Sequence, residues 1–219
     1  MGLFNFGKNK QDTSTQSVSN STPISTPVPA PQTGILNLKK NDILDLTKTA
    51  PQLKNIRVAA GWDVATNGRN YDLDLCAILI GPNGKLVKKH NNVVYYGAKK
   101  STGIFLDGDN LTGEGDGDDE NIYVSLDQIP DEVSRIVFNV VIYEAIARKQ
   151  KFGKVKNAYV RIVDEGAGGI EICRYNLSED GGDNTAVVFA ELYRDADGWK
   201  FKAIGNCTKA SIRDLKDRY

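Results

Sequence analysis

Residues 107–120 read DGDNLTGEGDGDDE, seven carboxylates and four glycines in fourteen positions with no lysine or arginine among them. Two like charges about 4 Å apart cost about 1 kcal/mol in water and several times that in a less polar setting. Such crowding opposes compact folding unless a cation answers it. Acidic side chains alternating with glycine, whose backbone turns tightly and exposes carbonyl oxygens, form a flexible cage of oxygen donors. That donor set suits Ca2+, which takes roughly six to eight oxygens, better than the rigid octahedron of Mg2+. The spacing is not that of an EF-hand: counted from Asp107, the fifth position is Leu111 and the sixth Thr112, where that loop needs a ligand and a glycine. Taken alone, the segment also reads as a solvated acidic hairpin tip.

Carboxylates elsewhere bear on that choice. In NYDLDLCAILI, two-residue alternation places Asp72 and Asp74 on the face that carries Cys76, Ile78 and Ile80. In RIVFNVVIYEA the same arithmetic aligns Glu144 with Ile136, Phe138, Val140 and Ile142, a carboxylate at the end of an apolar stripe. Burying an ionised group without a partner costs several kcal/mol, so each must meet a metal or an arginine such as Arg148 or Arg161. Near Asp72 and Asp74 the sequence offers only Arg69, in a loop.

Other chemistries find less support. The chain has one histidine, His90, in the polar KKHNN loop, which leaves a serine or cysteine nucleophile without an oriented base. Zinc ligation has no recognisable spacing, since Cys76, Cys173 and Cys207 lie far apart. Asp72, Asp74 and Glu144 could serve an all-β glycoside hydrolase, but Trp62 and Trp199 sit in strand patterns and read as core rather than as a sugar platform. The glycine-rich stretch 166–169 lacks a following Walker lysine and reads as a hairpin turn. The expectation is a protein that binds rather than catalyses.

These residues must be positioned by strands. Short apolar segments recur with turn signals between them: ILNL, NIRVAAGW, YDLDLCAILI, VVYY, GIFL, NIYVSL, RIVFNVVIYEA, AYVRIVD, GIEICRYNL, AVVFAELY and GWKFKAI. Eleven such segments, punctuated by Pro82-Asn83-Gly84 and by Gly/Asp-rich turns near 180–183 and 195–198, predict an all-β antiparallel sandwich with short helices. One helix is expected at 127–133, around Pro130, and another at 207–219, where Ile212 and Leu215 share a face.

Residues 11–33 hold 17 Ser, Thr, Pro or Gln in 23 positions and one charge, which predicts a disordered tail over 1–33 ahead of a domain at 34–206. Before that tail, Leu3, Phe4 and Phe6 are followed by Lys8 and Lys10, either a tag for peripheral docking on a membrane surface or partner groove, or a frayed terminus. Phe6 breaks the myristoylation pattern. Twenty-eight basic and 28 acidic residues cancel, so no global field argues for nucleic acid. Three scattered cysteines suit a reducing, cytoplasmic setting, and no apolar run approaches the roughly 20 residues of a spanning helix.

Assembled in order, GWDVATNGRNYDLDL, GPNGKL, DGDNLTGEGDGDDENI, SLDQIPDEVSRIVFNVVIYEA, QKFGKVKNAYVRIVD and ELYRDADGWKFKAIG resemble the TerD family of bacterial tellurium-resistance and stress-response proteins, over roughly residues 35–205. The resemblance implies a Ca2+-binding β-sandwich with two neighbouring ions and no established catalysis. Asp107, Asp109, Asn110, Glu114, Asp116, Asp118, Asp119 and Glu120 become ligand candidates, with Asp72, Asp74 and Glu144 closing the sites. It further implies a role in resistance to tellurite, phage, colicins or DNA-damaging chemicals, with other tellurium-resistance proteins, including a membrane-embedded Ter protein, as partners at the inner membrane face. A small-ligand sensor for cyclic nucleotides is an alternative drawn from the same resemblance. The Ser/Thr/Pro/Gln tail and the charged end after Gly205 depart from the basic pattern and bear on which partner is engaged.

Overall fold

One strand, next to the edge of its sheet, is apolar but for Asp74. Leu73–Ile80 buries all eight residues, because apolar layers cover both of its faces. Around it the computed structural model describes residues 36–37, 42–46, 53–64, 70–166 and 168–219. The expectations for the tail at 1–33, for Leu3, Phe4 and Phe6, and for Arg69 lie outside the described residues.

In chain order the strands are β1 (Leu36–Asn37), β2 (Ile43–Asp45), β3 (Asn55–Gly61), β4 (Leu73–Ile80), β5 (Val93–Val94), β6 (Lys100–Ser101) and β7 (Ile104–Asp107). They continue as β8 (Glu120–Ser125), β9 (Arg135–Ile142), β10 (Tyr159–Asp164), β11 (Ile170–Asn176), β12 (Ala186–Asp195) and β13 (Gly198–Thr208). A first sheet runs β1-β11-β10-β3-β8-β7-β6 and a second β2-β13-β12-β9-β4-β5. Every pairing is antiparallel except β1 with β11. The predicted antiparallel sandwich is the observed fold, and each of the eleven expected segments contains a strand. The sequence pattern missed β2 and β6, which are three and two residues long.

The two sheets close on one core, to which Ile56, Leu75, Ile122, Phe138 and Phe201 contribute. Alternation is plain in β8, where Glu120, Ile122 and Val124 are buried and the residues between them half-exposed. A second apolar cluster lies on the outer face of the β4-β9-β12 region, where Ile78, Ile80, Val137 and Val141 meet Ala210 and Leu215. Leu215 comes from the last helix, Ile212–Lys216, started by a capping box in which Ser211 and Asp214 exchange hydrogen bonds.

Two expected boundaries shift. Instead of a helix over 127–133 there is one 3₁₀ turn at Leu126–Gln128, because Ile129 precedes Pro130 and is held extended at φ −67°, ψ 124°. At the other end β13 continues to Thr208, so the C-terminal segment is strand before it is helix. Shorter helical turns that the pattern did not announce occur at Ala145–Arg148 (α1) and Leu177–Asp180 (α2), making Ile212–Lys216 α3. No helix among the described residues is long and apolar enough to cross a membrane.

Candidate metal centre

β5 pairs with Ala77 and Ile78 of β4, and no strand among the described residues pairs with the first half of β4 on that side. The Leu75 amide there donates to Glu120 Oε2 at 2.6 Å. Glu120 is the first residue of β8 in the opposite sheet and is fully buried. Its other oxygen, Oε1, has no hydrogen-bond partner. Beside it lies Asp74 of β4, 3% exposed, and from the acidic loop comes the exposed Asp109. One oxygen from each of the three carboxylates lies within 4.8 Å of the others, and no arginine or lysine among the described residues pairs with any of them.

The loop that carries Asp109 is built largely by its own side chains. Asn110 Oδ1 accepts from the amides of Thr112 and Gly113, both at 3.0 Å, while Asn110 Nδ2 donates to Asp119 Oδ1 at 2.7 Å. Asp119 Oδ2 in turn accepts from the Trp62 amide at 2.8 Å. Gly113 sits at φ +73° against the Trp62 ring, where a Cβ would approach Nε1 to 2.5 Å, so only glycine fits.

Asp118 goes elsewhere. Its Oδ1 accepts from Tyr159 Oη at 2.9 Å and Arg161 Nε at 2.8 Å, and its Oδ2 from Arg161 Nη2 at 2.6 Å and from Arg57. These partners stand on β3 and β10, and Arg57 also bonds Glu165 while Arg161 bonds Glu171. The chain thus places Asp118 in an arginine network and Glu120, two residues on, in the sandwich interior.

Of the eleven residues singled out by sequence, the fold gathers Asp74, Asp109 and Glu120, with Asp72 adjoining. Asn110 and Asp119 serve the loop's internal bonding, and Asp107, Glu114 and Asp116 are exposed along it. Glu144 does not end a buried stripe. β9 stops at Ile142, the backbone turns to φ +49° at Glu144, and its side chain is 56% exposed, 3.6 Å from Arg148 Nε. Arg148 Nη1 also stands 4.0 Å from Asp72 Oδ2, a pairing across 76 positions that periodicity could not reveal. One carboxylate group of this kind forms among the described residues, where the resemblance implied two ions.

Burial dominates the electrostatics. It pushes the Glu120 carboxyl up to about 9, against the Leu75 hydrogen bond and with help from the Asp74, Asp109 and Asp72 charges. Burial and then the charges of Asp72 and Asp109 raise Asp74 to about 8, with Arg148 pulling the other way. Asp72 rises to about 6 through burial, again opposed by Arg148. Asp118 is the contrast: burial works upward, but hydrogen bonds from Arg161 and Tyr159 overcome it and hold the group below the ordinary carboxylate range. Without a cation Asp74 and Glu120 therefore hold protons near neutral pH.

A cleft of about 990 Å³ opens over Asp74, walled by Tyr95, Tyr96, Tyr143 and Ile146 and by Ile212 and Lys216 of α3. Tyr96 meets Tyr95 and Tyr143 edge to face, with ring centroids 5.0 and 5.7 Å apart.

Comparison with known proteins adds ancestry to this geometry. The TerD domain family model matches residues 35–219, and so includes the charged end after Gly205. The tellurium resistance protein TerD of Alcaligenes sp is 43% identical over 172 residues, 78% of this chain and 89% of its own. General stress protein 16U of Bacillus subtilis is 41% identical over 187 residues, 84% of this chain and 96% of its own. A solved homologue of telluride resistance protein (TerD) from Streptomyces coelicolor A3(2) superposes with a TM-score of 0.63 at 25% identity, covering 74% of this chain and 94% of its own.

Proposed function

The chain belongs to the TerD family, and from that premise we propose that it is a calcium-binding, non-catalytic interaction module of a bacterial stress-defence system, serving resistance to tellurite or related insults. The observation that carries the reading is Glu120, fully buried with one oxygen unpartnered and with its carboxylate grouped with those of Asp74 and Asp109. An all-carboxylate donor set is hard, which favours Ca2+ over zinc or copper. Bound there, the ion would supply charge neutralisation. Asp74 would hold it from the second sheet, Glu120 from the first and Asp109 from the loop. Asn110, Asp119 and the Arg57–Asp118–Arg161 network keep the loop in place to do so. Other tellurium-resistance proteins, including a membrane-embedded one, are the proposed partners, met from the cytoplasm.

The test is thermal unfolding with calcium and with chelator, paired with calorimetric titration. A ligand at 100 times its dissociation constant adds about 2.7 kcal/mol, so the melting temperature should rise by several degrees. An unchanged melting temperature from chelator to millimolar calcium would falsify the proposal. The cleft over Asp74 favours a second reading, a small-ligand sensor, which a saturable titration with cyclic nucleotide supports and a flat one removes.

A further inference from the structure

We infer that Arg148 is an internal counter-ion which a cation at Asp74, Asp109 and Glu120 displaces, and that its release loosens the segment 144–149 that walls the cleft. The inference rests on the calcium reading and names how that site speaks to a surface. Arg148 bridges two carboxylates, standing 4.0 Å from Asp72 Oδ2 and 3.6 Å from Glu144 Oε2. Its guanidinium also lies 4.9 Å above the Tyr143 ring. Asp72 is buried with Oδ1 unpartnered, so the arginine answers its charge incompletely and at long range.

The segment Arg148 braces is conformationally strained. α1 is one turn long and is flanked by two non-glycine residues at positive φ, Glu144 at +49° and Lys149 at +55°. Such conformations persist only where neighbouring contacts hold them. The segment is pinned at both ends to the approach to β4: the Tyr143 amide donates to Asp72 O at 2.8 Å, and Gln150 Nε2 to Asn70 O at 2.8 Å. Between the pins Ile146 is 81% exposed and faces the cleft mouth. A divalent ion beside Asp74 offers the Asp72 carboxylate, with its unpartnered Oδ1, a partner that competes with Arg148, and the Arg148 bridge is one of the ties on which the two positive-φ residues depend. Coupling is reciprocal, so Arg148 also opposes cation binding.

Hydrogen exchange on the full chain, with calcium and with chelator, reads the segment directly. Calcium is expected to speed exchange of the Arg148, Lys149 and Gln150 amides about fivefold, while β4 and β9 slow. Arg148→Gln should exchange fast there without calcium, show no further change with it, and bind calcium about fivefold more tightly by calorimetry, as one removed like charge predicts. Arg148→Lys keeps the charge and should bind calcium as the unaltered chain does, which separates charge from packing should Arg148→Gln not fold. If the unaltered chain binds no calcium, the parent reading fails. If it binds calcium with exchange at 144–150 unchanged, or if Arg148→Gln keeps the full response and the same affinity, this inference alone is overturned.

Discussion

Two carboxylates one residue apart from a shared neighbour, Asp118 and Glu120, meet opposite environments, and their titration should show it. Glu120 and Asp74 hold protons more tightly folded than unfolded. Their contribution to stability is therefore complete below the ordinary carboxylate range and is lost as pH rises through about 8 for Asp74 and about 9 for Glu120. Asp118, held low, works in reverse: its contribution is present above the unfolded value and disappears as pH falls through the folded one. In chelator the melting temperature should thus decline from about pH 6 to about pH 9, and saturating calcium should reverse that slope, since the cation competes with protons. Asp74→Asn should flatten the chelator curve and abolish most of the calcium increment, both measured by the same scans. The residue types of the site were legible from the sequence, as was the face Asp74 occupies. What could not be read was which of the consecutive acids would turn outward, because that depends on Arg57 and Arg161 arriving from β3 and β10.

At the scale of elements, long strands were legible because alternation runs through them, while the short β2 and β6 were not. α1 escaped notice for a different reason: it is held by tertiary ties at Tyr143, Arg148 and Gln150 and has no side-chain cap or apolar stripe of its own. α3 is the opposite case, with a local signal that the fold uses. Its Ser211–Asp214 box seats Leu215 against Ile78 and Ile80 on the outer face of β4. Ser211→Ala should cost about 1 kcal/mol in chemical denaturation, the usual loss of such a cap. It should also raise amide exchange in 212–216 ahead of the rest of the chain. An unchanged denaturation midpoint would mean the helix is held by its packing alone.

For the molecule as a whole, the family match begins at residue 35 and the first described strand at Leu36, which pairs with Cys173 of β11. A chain starting at residue 34 should accordingly remain folded, with the same melting temperature and calcium response. Loss of soluble protein would place part of 1–33 in the core. The proposed ligands also divide between the two sheets, Asp74 belonging to one and Glu120 to the other. An ion there acts as a rivet across the seam where the sheets must part. Because the rivet has to break before the sheets separate, and forms only after they have met, occupancy should lengthen the half-life of the native state more than it hastens refolding. Resistance to proteolytic clearance would then follow the supply of calcium, so that the persistence of the protein, and not merely its shape, becomes a readout of the ion.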